Sequence, residues 1–316
     1  MSYSWLDVYE GKGAQRDRRV TPLKALDESP SGYLASPELQ KAVNVALALE
    51  QPLLLTGKPG TGKTELAASV AWELQLPLFV FHAKTTSTAR DLLYRYDALR
   101  HFHASHFIKE QIPDARPYIE VDALGLAILC TRPENNPAAL IDGYLPAEHR
   151  HKEPTRSVVL IDEIDKAPRD FPNDLLNEVE HLRFTIQETK DKFEVRRDFR
   201  PILILTSNSE KSLPEAFLRR CLFHYIRPPD EADLKEIIKK RLGEESQLLD
   251  NAIAWFVKNR ETLGREGSTG EFLQWVRVLR DAGIDVTNLK EGQREILAVS
   301  YAALAKSEEA AGRLKP

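Results

Sequence analysis

The chain has 316 residues, of which 42% are hydrophobic and 29% charged, with a formal net charge of −4. That is the balance of a globular protein with room for a sizeable α/β core and a smaller second domain. It lacks the basic excess usual in a nucleic-acid-binding domain, so such a partner is not favoured. The two cysteines, Cys130 and Cys221, form no CxxC pair, which argues against a disulfide framework or a thiolate zinc site and for a reducing cytoplasm. No apolar run approaches the ~20 residues needed to cross a bilayer, and Met1 to Glu10 lacks a signal-peptide layout, so no membrane insertion is expected.

In chain order, residues 1–32 read as a flexible lead-in with Pro22, Pro30 and Gly32 and no periodic apolar face. Ser36 and Pro37 then open a helix as cap and first residue, and Leu39, Val43, Ala46 and Leu47 follow helical spacing. Short apolar runs at 53–55, 78–81, 158–161, 202–205 and 222–226 alternate with helical stretches. Runs apolar throughout and bounded by turn residues are the mark of buried parallel strands. The chain therefore predicts a doubly wound α/β domain with a five-stranded parallel sheet over 33–229.

Within that domain, an insertion at about 84–156 is expected to hold its own helices, at 88–102 and 122–129, and a segment rich in Pro, Asn and charge at 133–154. Residues 183–199 read as a β-hairpin, with RFTI and FEVR flanking ETKDK. After Pro228 and Pro229 the spacing turns helical, at 230–242, 248–259, 270–282 and 291–306, with Gly243, Gly264, Gly267 and Gly283 between. Residues 230–316 are thus predicted to be an all-helical domain.

The strongest local signal is GKPGTGKT: Gly57, Lys58, Pro59, Gly60, Thr61, Gly62, Lys63 and Thr64, with Glu65 following. It fulfils G-x-x-x-x-G-K-[ST] between a predicted strand and a predicted helix, the context the motif requires. Glycines let the backbone wrap closely and aim N–H groups at phosphate oxygens, and the helix N-terminus adds positive potential. Lys63 would reach the β- and γ-phosphates of ATP, and the Thr64 hydroxyl would bind Mg²⁺.

About 100 residues on, the apolar run 158–161 ends in Asp162 and Glu163. Parallel sheets place their ligand crevice at such strand ends. Asp162 would hold the Mg²⁺ shell and Glu163 would polarise an attacking water. The run 202–205 leads into Thr206, Ser207 and Asn208. The Asn208 amide could sense the γ-phosphate, and an Asx turn leaving the strand is the plain alternative.

Taken in order, GYLASPELQKAVNVALALEQPLLLTGKPGTGKTELA, IDEIDKAPRDFPNDLLNEVE and ILILTSNSEKSLPEAFLRRCLFHYI resemble the AAA+ ATPases, and within them the MoxR-like group. The resemblance covers about residues 33–282. It implies a homo-oligomeric ring, a hexamer, with ATP and Mg²⁺ at each subunit interface, and a helical lid. Arg220 falls where the family's interface arginine stands, with Arg219 beside it; the alternative is a pair of surface arginines at a helix C-terminus. His82 matches a polar position expected to restrain Glu163, and the hairpin would face the ring's centre. Where many members carry a lid arginine this chain has Gly270, in Ser268-Thr269-Gly270, so lid sensing by that arginine is not carried over.

The implied function is a chaperone-like remodelling ATPase acting on a protein client, often with a separate von Willebrand A-type partner, expected in trans because the chain is read as lacking that domain's D-x-S-x-S metal motif. The competing reading is a nucleic-acid-directed motor or a nucleotide-gated module of a defence system, with Lys190, Lys192, Arg196, Arg197 and Arg200 as the cluster it would need. A slow nucleotide switch is disfavoured by Glu163 and Arg220, which serve turnover. His101, His103 and His106 spell H-x-H-x-x-H but lack a fourth ligand, and read as an exposed polar insertion rather than a metal site, as do His149 and His151. Trp255 and Trp275 read as packing residues of the helical domain.

Overall fold

The computed structural model describes residues 23–107, 114–132, 144–146, 153–209, 213–260, 263, 267–305 and 314, with His106 and Phe107 described by backbone alone. Its strands in chain order are β1 (Leu53–Gly57), β2 (Leu78–His82), β3 (Tyr94–Tyr96), β4 (Ile119–Val121), β5 (Val158–Asp162), β6 (Arg183–Thr185), β7 (Lys192–Glu194), β8 (Ile202–Ser207) and β9 (Leu222–Ile226). The helices are α1 (Pro37–Leu49), α2 (Lys63–Glu73), α3 (Ala98–Phe107), α4 (Ala123–Cys130), α5 (Phe171–His181), α6 (Glu215–Leu218), α7 (Glu231–Leu242), α8 (Gln247–Asn259), α9 (Thr269–Ala282) and α10 (Gln293–Ser300).

All five apolar runs become strands of one parallel sheet, in the order β2-β5-β8-β1-β9. Strands β1, β5 and β8 are buried at every position, as expected for strands covered on both faces. The edge strands β2 and β9 alternate between covered and exposed residues. The five-stranded parallel sheet with a helical C-terminal region predicted from the sequence is therefore the observed architecture.

Contacts divide the chain into two compact units. One comprises the described residues of Ala35–Gly57 and Gly62–Ile226; the other comprises those up to Leu34, the short stretch Lys58–Thr61, and those from Arg227 onward. In the α/β unit, the Ser36 hydroxyl accepts the Leu39 N–H and Pro37 stands at the first turn of α1, the arrangement the sequence predicts. The segment at 88–102 differs from the expected helix. Ala89–Leu92 is a single 3₁₀ turn, and β3 follows before α3 begins. The reason is pairing: Tyr94 and Tyr96 join β4 in an antiparallel ladder, Tyr94 opposite Val121, and the buried Tyr94 ring stacks on Phe184 at 6.2 Å. Tertiary burial here overrides the local helical spacing. The second expected helix is seen as α4, with the Asp122 carboxylate capping it at the Ala123 N–H.

Residues 186–191 join β6 to β7, whose antiparallel register sets Arg183 opposite Glu194 and Phe184 opposite Phe193. Successive side chains of a strand face opposite ways. Phe184 and Phe193 are accordingly buried in the core, while Arg183, Lys192 and Glu194 are exposed on the other face.

The helical unit has its own core, built from α7, α8, α9 and α10. Asp230 and Ser268 form capping boxes with Asp233 and Glu271, and Gly243 and Gly283 end α7 and α9 in the left-handed conformation. Trp275 is fully buried and donates its indole N–H to Ser300 Oγ at 3.0 Å. Trp255 packs 4.9 Å from Trp275 and stacks 5.0 Å from Tyr301. Both tryptophans are packing residues, as the sequence predicts. The expected helix at 291–306 is α10 followed by a 3₁₀ turn at Tyr301–Ala303. In the stretch expected as a lead-in, Arg277 Nε donates to Lys24 O at 3.1 Å and Asp27 N–H to Arg241 O at 2.9 Å.

Candidate active site

The polar residues of the central strands collect at one end of the sheet. The register aligns Leu205 of β8 with both Leu54 of β1 and Ile161 of β5, so Asp162 and Thr206 emerge side by side, one residue further on. Strand β2 is in register with β5, His82 opposite Asp162. This is the carboxyl edge of a parallel sheet, where ligand crevices form.

From β1 the chain turns through the glycine-rich loop into α2. Gly60 and Gly62 have φ of 73° and 83°, a left-handed backbone that glycine adopts without steric cost. A Cβ on Gly60 would also stand 2.1 Å from Ser268 Cβ, an impossible approach within the cluster to which Lys58–Thr61 belongs. The Thr61 hydroxyl donates to Lys58 O at 2.9 Å and closes the turn. Pro59 and Glu65 are exposed on either side of the turn. Gly62 caps α2, whose opening N–H groups and dipole make a ready anion site.

Lys63 is buried and donates from Nζ to Gly57 O at 2.8 Å. Burial lowers the pKa of its ammonium, against the pull of the Asp165, Asp162 and Glu163 carboxylates. Such a group gains from an anionic ligand that completes its charge balance. Thr64 Oγ1 donates to Asp162 Oδ1 at 3.0 Å, and Thr206 Oγ1 donates to the same oxygen at 2.6 Å. Oδ2 of Asp162 faces His82 Nδ1 at 3.4 Å. Thr206 Oγ1 also accepts the Glu163 N–H at 2.8 Å, so one hydroxyl ties both acidic residues to β8.

Glu163 has φ 57° and ψ 49°. A non-glycine residue in this region costs about 1–2 kcal/mol, and such strain is typical of functional sites that the surrounding structure over-determines. The turn directs its carboxylate to Lys166, with which it pairs. Asp165 in the same turn accepts the Asn208 N–H at 3.1 Å.

Of the sequence-predicted site residues, Lys63, Thr64, Asp162, Glu163 and Asn208 lie together at the ends of β5 and β8 and the start of α2. Arg219 and Arg220 stand apart from this hydrogen-bonded cluster, exposed after α6: Arg219 pairs with Glu215, and among the described residues the Arg220 guanidinium bonds Ala216 O through Nη1 at 3.5 Å. His82 does not restrain Glu163 as expected; its partner is Asp162, because the pairing of β2 with β5 sets the two opposite each other. His101 is a packing residue rather than part of an exposed insertion. It is buried, bonds Tyr96 Oη through Nδ1 at 2.6 Å and stacks on Tyr118 at 4.6 Å. His149 and His151 lie outside the described residues, as does the side chain of His106. Contrary to the expectation that the chain lacks it, the D-x-S-x-S spacing of a von Willebrand A-type metal site is present at Asp27, Ser29 and Ser31, where the three residues form a small turn. Asp27 Oδ1 accepts the Ser29 N–H at 2.9 Å and the two serine hydroxyls pair at 2.6 Å.

Among the described residues no cluster of His, Cys, Asp or Glu is suited to hold a metal by itself. Thr64 and Asp162 nonetheless fit a nucleotide-bound Mg²⁺, which takes hard oxygen ligands, one or two from protein, and leaves the rest to water and phosphate.

Three comparisons bear on the arrangement. The sequence profile of the ATPase family associated with various cellular activities (AAA) matches residues 53–229. No curated protein matches the chain. Similar solved structures include a proline-to-glycine variant of Thermotoga maritima RuvB, at 18% identity over 92% of this chain and 76% of that one, with a TM-score of 0.50. An alanine-to-serine variant of the same protein gives 15% identity, 92% and 75% coverage and a TM-score of 0.49. Likeness at this identity is one of fold.

Proposed function

This chain belongs to the ATPase family associated with various cellular activities, and from that premise we propose that it hydrolyses ATP as a homo-oligomeric ring and uses the cycle to remodel a protein partner, in the manner of the MoxR-like group. One observation carries the catalytic part of this reading: the knot in which Thr64 and Thr206 both bind Asp162 while Thr206 fixes the backbone of Glu163.

In this reading the loop Gly57–Thr64 wraps the phosphates with backbone N–H groups, and Lys63 supplies positive charge at the β- and γ-phosphates. Thr64 and Asp162 would hold Mg²⁺, which when bound would supply positive charge against that developing on the transferring phosphoryl group. Glu163, on its strained turn, orients the attacking water and accepts its proton. Before that it must leave Lys166, so the Glu163–Lys166 pair is a resting arrangement. Asn208, with its backbone held by Asp165, presents its amide to the γ-phosphate side.

Arg220 would serve the site of a neighbouring subunit, where an arginine supplied in trans is worth about 10³–10⁵ in rate. Its exposure supports this role, as does its lack of a carboxylate partner among the described residues. The remodelling role and a von Willebrand A-type partner rest on the MoxR-like ordering of motifs. The experiment is ATPase rate against protein concentration for the wild type, Glu163→Gln and Arg220→Ala. Turnover per subunit should rise steeply with assembly and collapse in both variants. A rate independent of concentration and indifferent to Arg220→Ala would remove the ring.

A further inference from the structure

A second concave site lies within the α/β unit, on residues the ATPase reading does not use. It is a cleft of about 790 Å³ between the hairpin β6–β7, α5, the end of α4 and the turn before β3. Its size is that of a ligand pocket, about 300–1,000 Å³. Four cations line it, Arg90, Arg132, Arg183 and Lys192, against two carboxylates, Glu178 and Glu194, so it is locally basic on a chain of net charge −4.

Two of the cations are fixed. Arg132 clamps Glu194 O through Nε and Nη2 at 3.2 and 2.8 Å. Arg90 lies over the Tyr94 ring at 4.6 Å and bonds Glu188 at 2.9 Å. The other two are available: Arg183 and Lys192 are exposed on the outward face of the hairpin, with no carboxylate partner among the described residues. Their backbone is held rigid from below by Phe184 and Phe193, buried with ring centroids 5.2 Å apart. The hairpin is also anchored to the insertion, since Tyr94 Oη accepts the Gln187 N–H at 2.9 Å and Tyr144 Oη donates to Asp191 at 2.6 Å.

We propose that this cleft docks an acidic, extended segment of a protein partner, whose carboxylates are taken by Arg183 and Lys192. The mixed lining decides between anions. A nucleic-acid backbone is anionic at every step and brings no backbone N–H for Glu178 and Glu194, whereas an acidic peptide alternates its carboxylates with backbone N–H donors that those two can accept from. Glu178 is well suited to that contact, because burial raises its pKa and Asp174 adds to the effect against the pull of His181. The choice of a polypeptide rests in part on the remodelling reading; the existence of an anion-binding cleft does not.

The test is fluorescence anisotropy on the full chain without nucleotide, so that its outcome is independent of whether the chain hydrolyses ATP. The probes are a short fluorescein-labelled peptide alternating glutamate with leucine, its lysine counterpart, and a labelled single-stranded oligonucleotide. The acidic peptide should bind, more weakly as salt rises. Arg183→Glu with Lys192→Glu should weaken it about tenfold or more, and the neutral pair Arg183→Gln with Lys192→Gln should weaken it by an intermediate factor at an unchanged melting temperature. Equal binding of acidic and basic peptides, preference for the oligonucleotide, or affinity unmoved in both double variants would overturn the proposal.

Discussion

The end of β5 and the end of α6 contain the two halves proposed to meet in catalysis, and they are built in opposite ways. Asp162 is 6% exposed, its carboxylate held by two hydroxyls and faced by a histidine. Glu163 is held by its own backbone in a strained turn. Arg220 is exposed, and among the described residues its guanidinium makes a single 3.5 Å bond, to a carbonyl of its own turn. A charged group meant to work within its own chain is preorganised by that chain. One meant to work on another molecule is left for that molecule to order, and its binding entropy is lost only on assembly. The contrast is what a shared site at a subunit interface requires.

Four substitutions would sharpen or break that contrast. Arg220→Ala should lower turnover of the assembled protein by about 10³-fold or more while leaving nucleotide affinity and the melting temperature nearly unchanged. A loss of stability without loss of rate would make the arginine structural. Glu163→Gln should lower turnover by about 10²–10⁴ and leave ATP trapped, read as bound nucleotide after gel filtration. Thr206→Val should cost about 1–3 kcal/mol of stability in denaturant titration, because the Glu163 N–H and Asp162 Oδ1 lose a buried partner, and turnover should fall with it. Arg219→Ala should change stability by less than about 0.5 kcal/mol, since the Arg219–Glu215 pair joins two side chains that are each 76% exposed. A large effect on rate there would reassign the trans role from Arg220 to Arg219.

How much of this was legible in the sequence follows from whether a feature is local. The five strands, the loop from Gly57 to Thr64 and the acidic strand end are contiguous, and their apolar runs and turn residues announce them. In the sequence Thr206 is no more than part of a strand end, because its bonds to Asp162 and Glu163 depend on the register of β8 against β5. Its place one residue past the end of an apolar run, as Asp162 is, is the only trace in the sequence. The resemblance assigns His82 to Glu163 and the structure to Asp162 for the same reason: the pairing of β2 with β5 is a tertiary fact. The short ladder β3–β4 was hidden because three-residue strands are too brief for a period of two to stand out against helical spacing. Burial of His101 beneath Tyr118 was likewise invisible, since its partners lie in separate elements.

The most direct test of the shared site is complementation between two inactive variants. Glu163→Gln retains its arginine and Arg220→Ala retains its glutamate, so an interface joining the site of the latter to the finger of the former is intact. Mixed in equal amounts under assembling conditions, the two should recover roughly a quarter of wild-type activity, the fraction of intact head-to-tail interfaces that random mixing gives. Activity that stays at the level of the separate variants, in mixtures shown to co-assemble, would contradict the account and place the whole catalytic apparatus within one chain.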